Sequence, residues 1–437
     1  MLLIYLQHDS PRTRYIMDYF FTGIYTVSYR ITGNLSEYAG YTGPKLSYSA
    51  AETGSGIQYR SCGLLEEQSV IPTKIQIETQ NGRHIAWFPR LQPSAASFDP
   101  FASAFFLLSR YEEWLPYQAD EHGRFKAGDS AQVQAGLAEF PLVNYWAEQV
   151  ISLLFQHHPE LRVSRPEFRA TITIDIDHTY AFMHKNFWRS AAILVRHIFG
   201  QHKASPGPWQ VWRKKAADPY DTYDYLEQQR RASGLDFIYF LLTASYSRMD
   251  KNISASSSAF RALAGRLATE AATGIHPSYY SREHPEKLKQ EIQHLESVTG
   301  KKVFRSRQHY LRFTLPETYR KLGELGIQEE YSMGFSDQPG FRAGTCTPFL
   351  WYDLERNLTT GLKIFPITWM EGTYAEHLKL DAHQAWERMR ILIETVKQWH
   401  GHFIPLWHNH SVAEYGAWKG WSINFERMLK MLQEDQP

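Results

Sequence analysis

The stretch TITIDIDHTY, residues 171–180, alternates without a break. Thr171, Thr173, Asp175 and Asp177 fall on one side of an extended chain, and Ile172, Ile174 and Ile176 on the other. Two carboxylates two positions apart on one strand face lie about 6 to 7 Å apart along the backbone, at about 3.3 Å of rise per residue. Each raises the pKa of the other unless a metal ion or an arginine compensates. The plain alternative is one Asp capping a turn and the other solvated. Further along, His276 stands in GIHPSYYS, Arg307, His309 and Tyr310 in RSRQHYLRF, and His408 and His410 in FIPLWHNH, each just after a short apolar run. One Asp and two neutral imidazoles, with a position left open for water, suit a divalent ion.

Such groups converge only if the elements that carry them are parallel neighbours. From about residue 166, short apolar runs alternate with amphipathic helices, the pattern of a parallel sheet or barrel. The expected strands lie in TITIDID, LDFIYFLLT, TGIHPS, KKVFRSR, EEYSMGF, LKIFPIT and GHFIPLW. Helices are expected in SSAFRALAGRLATEAA, EKLKQEIQHLESVTG with Gly300 as its stop, PETYRKLGELG and AWERMRILIETVKQW. Seven strands with helices between them predict a (β/α) barrel, in which functional groups gather at the C-terminal strand ends. Every candidate named above sits at such an end.

Residues 1–165 form a smaller α/β unit by pattern, and residues 166–437 the barrel. In the first unit MLLIYL and KIQIE predict strands, and FDPFASAFFLLSRYEEWL and FPLVNYWAEQVISLLFQ predict apolar-striped helices opened by prolines. The polar segment YQADEHGRFKAGDSAQ predicts a surface loop, and the acids Glu112, Glu113, Asp120 and Glu121 of this unit are expected to be solvated. No chemistry is apparent in this unit.

With 437 residues, 43% of them hydrophobic, the chain can fill two or three domains. Lys+Arg 47 against Asp+Glu 46 gives a formal charge of +1, without a basic run that would mark a nucleic-acid binder. No apolar run reaches about 18 residues, so no membrane span is expected. Cys62 and Cys346 are the two cysteines, a usage that fits a reducing compartment and predicts a cytoplasmic protein.

The ordered motifs resemble the polysaccharide deacetylases with a NodB homology domain, carbohydrate esterase family four, over residues 166 to about 425. That resemblance implies a seven-stranded β/α barrel of NodB type and a metal-dependent hydrolase, usually a zinc enzyme. Thr173-Ile174-Asp175-Ile176-Asp177 is similar to the family's opening motif, which makes Asp175 the general base and Asp177 a metal ligand. His276 matches the first position of its His-x-x-x-His pair. Arg307-Gln308-His309-Tyr310 mirrors Arg-x-Pro-Tyr, with Arg307 holding the base and the Tyr310 backbone N–H near the oxyanion. Leu406-Trp407-His408 matches Leu-x-His, which makes His408 the general acid.

Two departures follow. Tyr280 stands where the second His of the pair would be, and His309 stands in place of Pro. His309 issues from the next strand end and could supply the missing imidazole, giving the ligand set Asp177, His276 and His309. His178, His284 or water are the other ways to complete it. Glu371 is the expected partner of the His408 imidazole, with Asp337 as the alternative. The loop Gly334 to Asp353 is expected to wall the substrate cleft, with Arg342 facing an anionic or hydroxyl-rich group and Trp407 able to stack on a sugar ring. The expected activity is removal of an acetyl group from an N- or O-acetylated sugar or related small molecule, or hydrolysis of another C–N bond. A rival from another class is a barrel without catalysis that binds carbohydrate or acts as a scaffold.

Overall fold

Alternating apolar segments at the start of the chain build a parallel sheet in the computed structural model, which describes residues 1–73, 75–80, 82–90, 94–199 and 205–434. Strands β1 (Leu2–Leu6), β2 (Tyr29–Thr32), β3 (Lys45–Ser49) and β4 (Ile57–Arg60) lie in the order β2-β1-β3-β4. The helix Pro100–Leu108 is buried along its whole length. Its N-cap, Asp99, accepts from Ala102 N at 3.0 Å and also from Tyr48 and Cys62, so the cap ties the helix to the sheet. KIQIE contributes only its end to a hairpin of β5 (Ile77–Gln80) and β6 (Arg83–Trp87), and its Lys74 lies outside the described residues.

The second half is carried by β7 (Arg169–Ile176), β8 (Asp236–Leu241), β9 (Ala272–Ile275), β10 (Arg305–Ser306), β11 (Glu329–Glu330), β12 (Phe349–Asp353), β13 (Leu358–Ile364), β14 (Trp369–Met370), β15 (His402–Phe403) and β16 (Pro405–His408). Their order is β12-β13-β11-β10-β9-β8-β7-β16-β14, with β15 beside β7, and every pair is parallel except β12 with β13. Close packing inside the curve of this sheet requires Gly274, because a Cβ there would stand 2.6 Å from the Phe240 ring.

The expected closed ring of seven strands is not formed by these ladders; among the described residues the sheet is open between β13 and β14. Both elements belong to one run of chain, interrupted at Pro366, which has no N–H to donate. The first part pairs with β11 and the second with β16, and between them Ile367 N reaches Met333 O at 3.0 Å and Thr368 N reaches Ile404 O at 3.0 Å. One segment thus supplies β13, which lies next to the edge strand β12, and β14, which is the opposite edge. The other strands and all the expected helices are present with shifted bounds, and Gly300 takes the left-handed conformation (φ 68°) after the helix Pro285–Thr299.

Of the loop from Gly334 to Asp353, expected to wall the cleft, Ser336 lines it, while the stretch from Gly340 onward packs onto the first half of the chain. Gly340 (φ 108°) lies so close that a Cβ would be 2.1 Å from Ala138 O, and Phe341 N donates to that oxygen. Tyr19 and Asn144 bond to Thr347, and Tyr15 and Phe105 pack on Tyr352. One apolar core therefore runs through both halves. Glu113, expected on the surface, is buried in this contact between Arg110 and Arg342, with oxygens 2.7 and 2.6 Å from them. Glu112 also pairs with Arg110, and Asp120 with Arg124. An acid beside an apolar helix can be buried where arginines meet it, which composition alone does not show.

Candidate functional site

The period of two carries the site. Asp175 is in register with Phe240 on one neighbour and His408 on the other, so Asp175 and His408 issue side by side from the C-terminal ends of β7 and β16. Asp177 follows one position past the end of β7. His276 leaves β9 directly, and His309 follows β10 by three residues. Their side chains meet at one end of the sheet, in a cleft of about 410 Å³.

Three imidazole Nε2 atoms face Asp177: His276 at 3.0 Å, His309 at 3.5 Å and His408 at 3.5 Å. The opposite nitrogens fix the tautomers. His276 Nδ1 lies 2.6 Å from the Arg307 carbonyl, His309 Nδ1 2.9 Å from Asp250 Oδ1, and His408 Nδ1 2.5 Å from Glu371 Oε1. Each of those oxygens can only accept, so each Nδ1 carries a proton and each neutral ring turns an Nε2 lone pair toward a carboxylate. Asp177 Oδ1 is buried and accepts no hydrogen bond. Lone pairs aimed at an anion in a buried place call for a cation between them, either protons or a metal ion.

Without a metal the protons take that place. Burial opposes the charge on His309, but Asp177 and then Asp250 outweigh it and push the imidazole up to about 9. Burial likewise opposes His408, which Glu371 and Asp177 push up to about 10. Burial alone would raise Asp177, yet His309 and His408 hold it well below the usual carboxylate range. One oxygen of Asp177 and one nitrogen each of His276 and His309 lie within 4.8 Å of one another, a donor set that suits a divalent ion.

Beside this set, Asp175 is buried and its Oδ1 accepts from Arg307 Nη1 at 3.1 Å, while the same nitrogen bonds Thr173 Oγ1 at 2.7 Å. Arg307 is itself fixed by Tyr331 O at 3.0 Å and by the Phe240 ring. Glu371, rather than the exposed Asp337, partners His408; its Oε1 also accepts the His408 N–H at 2.9 Å. Tyr310 lines the cleft in the left-handed conformation, φ 61°.

Two expected cleft residues do not reach it. Arg342 is spent on Glu113 inside the contact between the halves. Trp407 is fully buried against Trp369 and Phe425, because the alternation that turns Leu406 and His408 inward turns Trp407 outward, under the helix Ser422–Gln433. Tyr280 opens onto a separate cleft, His284 is exposed, and His178 lines the site with its pKa held at about 4 by burial.

Other residues of the site carry no sequence signal. Asp250 reaches His309 from a loop 59 positions away, and it is anchored by Tyr279 N at 2.9 Å and Ser247 Oγ at 2.9 Å. The polar loop of the first half supplies His122 and Arg124. Arg124 Nη1 bonds the Tyr310 carbonyl at 2.8 Å, with Asp120 holding its Nε at 2.7 Å. His122 Nδ1 meets Tyr279 Oη at 3.0 Å, and Arg312 grips the His122 carbonyl at 2.7 Å.

Residues 2–159 match the model of a family described as "Family of unknown function (DUF7033)". No curated protein matches the chain. Solved structures with a partial likeness include several described as deacetylases and a GH57 branching enzyme from Thermococcus kodakaraensis. The polysaccharide deacetylase Bc1974 from Bacillus cereus is 13% identical over 61% of this chain and 88% of its own, with a TM-score of 0.30. Agd3, described as a carbohydrate deacetylase, is 8% identical over 99% of this chain and 84% of its own, at 0.38. A mutant of BA3943, described as a family-four pseudoenzyme with restored activity, is 10% identical over 61% and 63%, at 0.34.

Proposed function

We propose that the chain is a metal-dependent deacetylase of acetylated carbohydrates or related small molecules, built on a distorted NodB-type barrel. The observation that carries this reading is the buried, unbonded Asp177 oxygen faced by imidazole lone pairs. Asp177, His276 and His309 would hold the ion, with zinc first among the candidates. When bound, a divalent cation lowers the pKa of water toward about 7 and polarises an acyl carbonyl.

The chain's own residues do the rest. Asp175 takes the proton of the attacking water, and the Arg307 guanidinium, bonded to its Oδ1, aims that carboxylate. The Tyr310 N–H is assigned to the developing oxyanion. His408, with Nδ1 fixed on Glu371, gives its Nε2 proton to the departing amine or alcohol. A cleft of about 410 Å³ has room for a monosaccharide. The same reading divides the chain near residue 165 and gives residues 1–165 a part in the site, since Arg124 and His122 form one wall and Arg124 pins Tyr310. A non-catalytic carbohydrate binder would not need Asp175 and His408 together. The test is release of acetate from acetylated oligosaccharides by the zinc-loaded protein. Loss of release in Asp175→Asn with metal retained supports the reading, and a metal-loaded wild type inert toward all N- and O-acetyl sugars tested contradicts it.

A further inference from the structure

The longest insertion after β7 carries a helix, Phe187–Phe199, with no buried residue. Its packing is confined to one side. Ile193 joins a small cluster with Phe182, Val211 and Trp212, and Arg189 donates to the Asn252 and Lys251 carbonyls. At 100° per residue the opposite arc holds Phe187, Trp188, Val195, Ile198 and Phe199, which are 76%, 78%, 54%, 53% and 82% exposed. A soluble surface scatters such residues singly; five on one helical face form a contiguous apolar patch that marks an interaction site. The adjoining helix Pro208–Trp212 extends it with Trp209, 52% exposed.

The charge around this face is one-sided. From His178 to Ala217 the sequence has seven Lys and Arg and no Asp or Glu, in a chain whose whole formal charge is +1. Arg196, Arg213, Lys214 and Lys215 are exposed. Aromatic and aliphatic side chains on one arc, with cations at its edges and no anions, match a helix lying in the plane of an anionic lipid surface. A protein groove would be expected to meet the apolar arc but not to require the absence of every acid over forty residues. The helix is too short to span a bilayer, and among the described residues no helix is long and apolar enough to cross a membrane.

We infer that the Phe187–Phe199 helix, with Trp209 and the Arg213–Lys215 cations, is an interfacial anchor that binds the chain reversibly to membranes rich in anionic phospholipid. The anchor borders the cleft, because Lys251, whose carbonyl holds Arg189, is one of the cleft residues. Binding does not depend on the deacetylase reading.

Co-flotation of the full chain with phosphatidylcholine vesicles, and with mixed phosphatidylcholine and phosphatidylglycerol vesicles, tests this. The wild type should float with the mixed vesicles at low salt, less with phosphatidylcholine alone, and be released as salt rises. The triple change Phe187→Ser, Trp188→Ser, Phe199→Ser touches only exposed side chains and should weaken vesicle binding by at least about tenfold. The double change Lys214→Glu, Lys215→Glu should abolish the preference for the anionic lipid. A wild type that stays unbound with both compositions, or a triple variant that floats as well as the wild type, overturns the inference. So does sedimentation showing that the patch joins two copies of the chain, with the triple variant monomeric and neither protein on vesicles.

Discussion

Two clusters of buried charge in this molecule are finished differently. Between the halves, Glu113 meets Arg110 and Arg342 at 2.7 and 2.6 Å, and their charges answer each other. Burial would raise Glu113, but Arg342 and Arg110 hold it below the ordinary carboxylate range. In the cleft, Asp177 is as closely surrounded, yet by three rings whose available tautomers offer lone pairs, and one of its oxygens bonds nothing. The first cluster is complete and belongs to the fold. The second lacks a positive charge, which the chain can meet with protons and which a metal ion would meet better. A buried carboxylate is therefore informative about function through what it is left without.

The contrast can be broken at either cluster. The largest effect is expected from Asp175→Asn, which keeps the shape and removes the proton acceptor: turnover should fall by about 10²- to 10⁴-fold while metal stays bound, as measured by acetate release and metal analysis. Should this variant lose the metal and Asp177→Asn keep it, the two carboxylates are assigned the wrong way round. At the other cluster, Glu113→Ala leaves two arginines buried without their partner and should cost about 3 to 5 kcal/mol of stability. Denaturant unfolding reads that loss, and unchanged metal stoichiometry would keep the clusters separate in role. Asp250→Ala removes the acceptor that sets the His309 tautomer, and should weaken metal binding about 10- to 100-fold.

The smallest effect is the dependence on pH. In the metal-free protein, the folded values of about 9 for His309 and about 10 for His408 exceed the ordinary value of 6.5. The stabilisation they give is fully present below about pH 6.5 and is lost as pH rises through about 9 to 10. The melting temperature of the metal-free protein should fall across that window, and zinc should remove the His309 part of the fall, because a ligated ring stays neutral. An equal slope with and without zinc would separate the ion from these rings.

Much of this was open to reading in the sequence because it rests on local periodicity. The alternation in TITIDID places both carboxylates, and strand ends place His276, His309, Arg307 and His408. The same rule, applied to PLWH, would have turned Trp407 away from His408. Arg342 could not be placed, since its partner Glu113 lies 229 positions away and looks like a surface acid. Asp250, Arg124 and His122 come from irregular segments with no period to read. The split of one run at Pro366 is visible only in three dimensions, where its first part pairs with β11 and its second with β16.

Zinc titration of the metal-free wild type beside His276→Ala and His309→Ala, followed by calorimetry, tests the central claim most directly. One equivalent should bind the wild type, and both substitutions should weaken binding to a similar degree, because each leaves two protein ligands. A wild type that takes up no zinc, or a His309→Ala protein that binds it as tightly as the wild type, would contradict the three-ligand site.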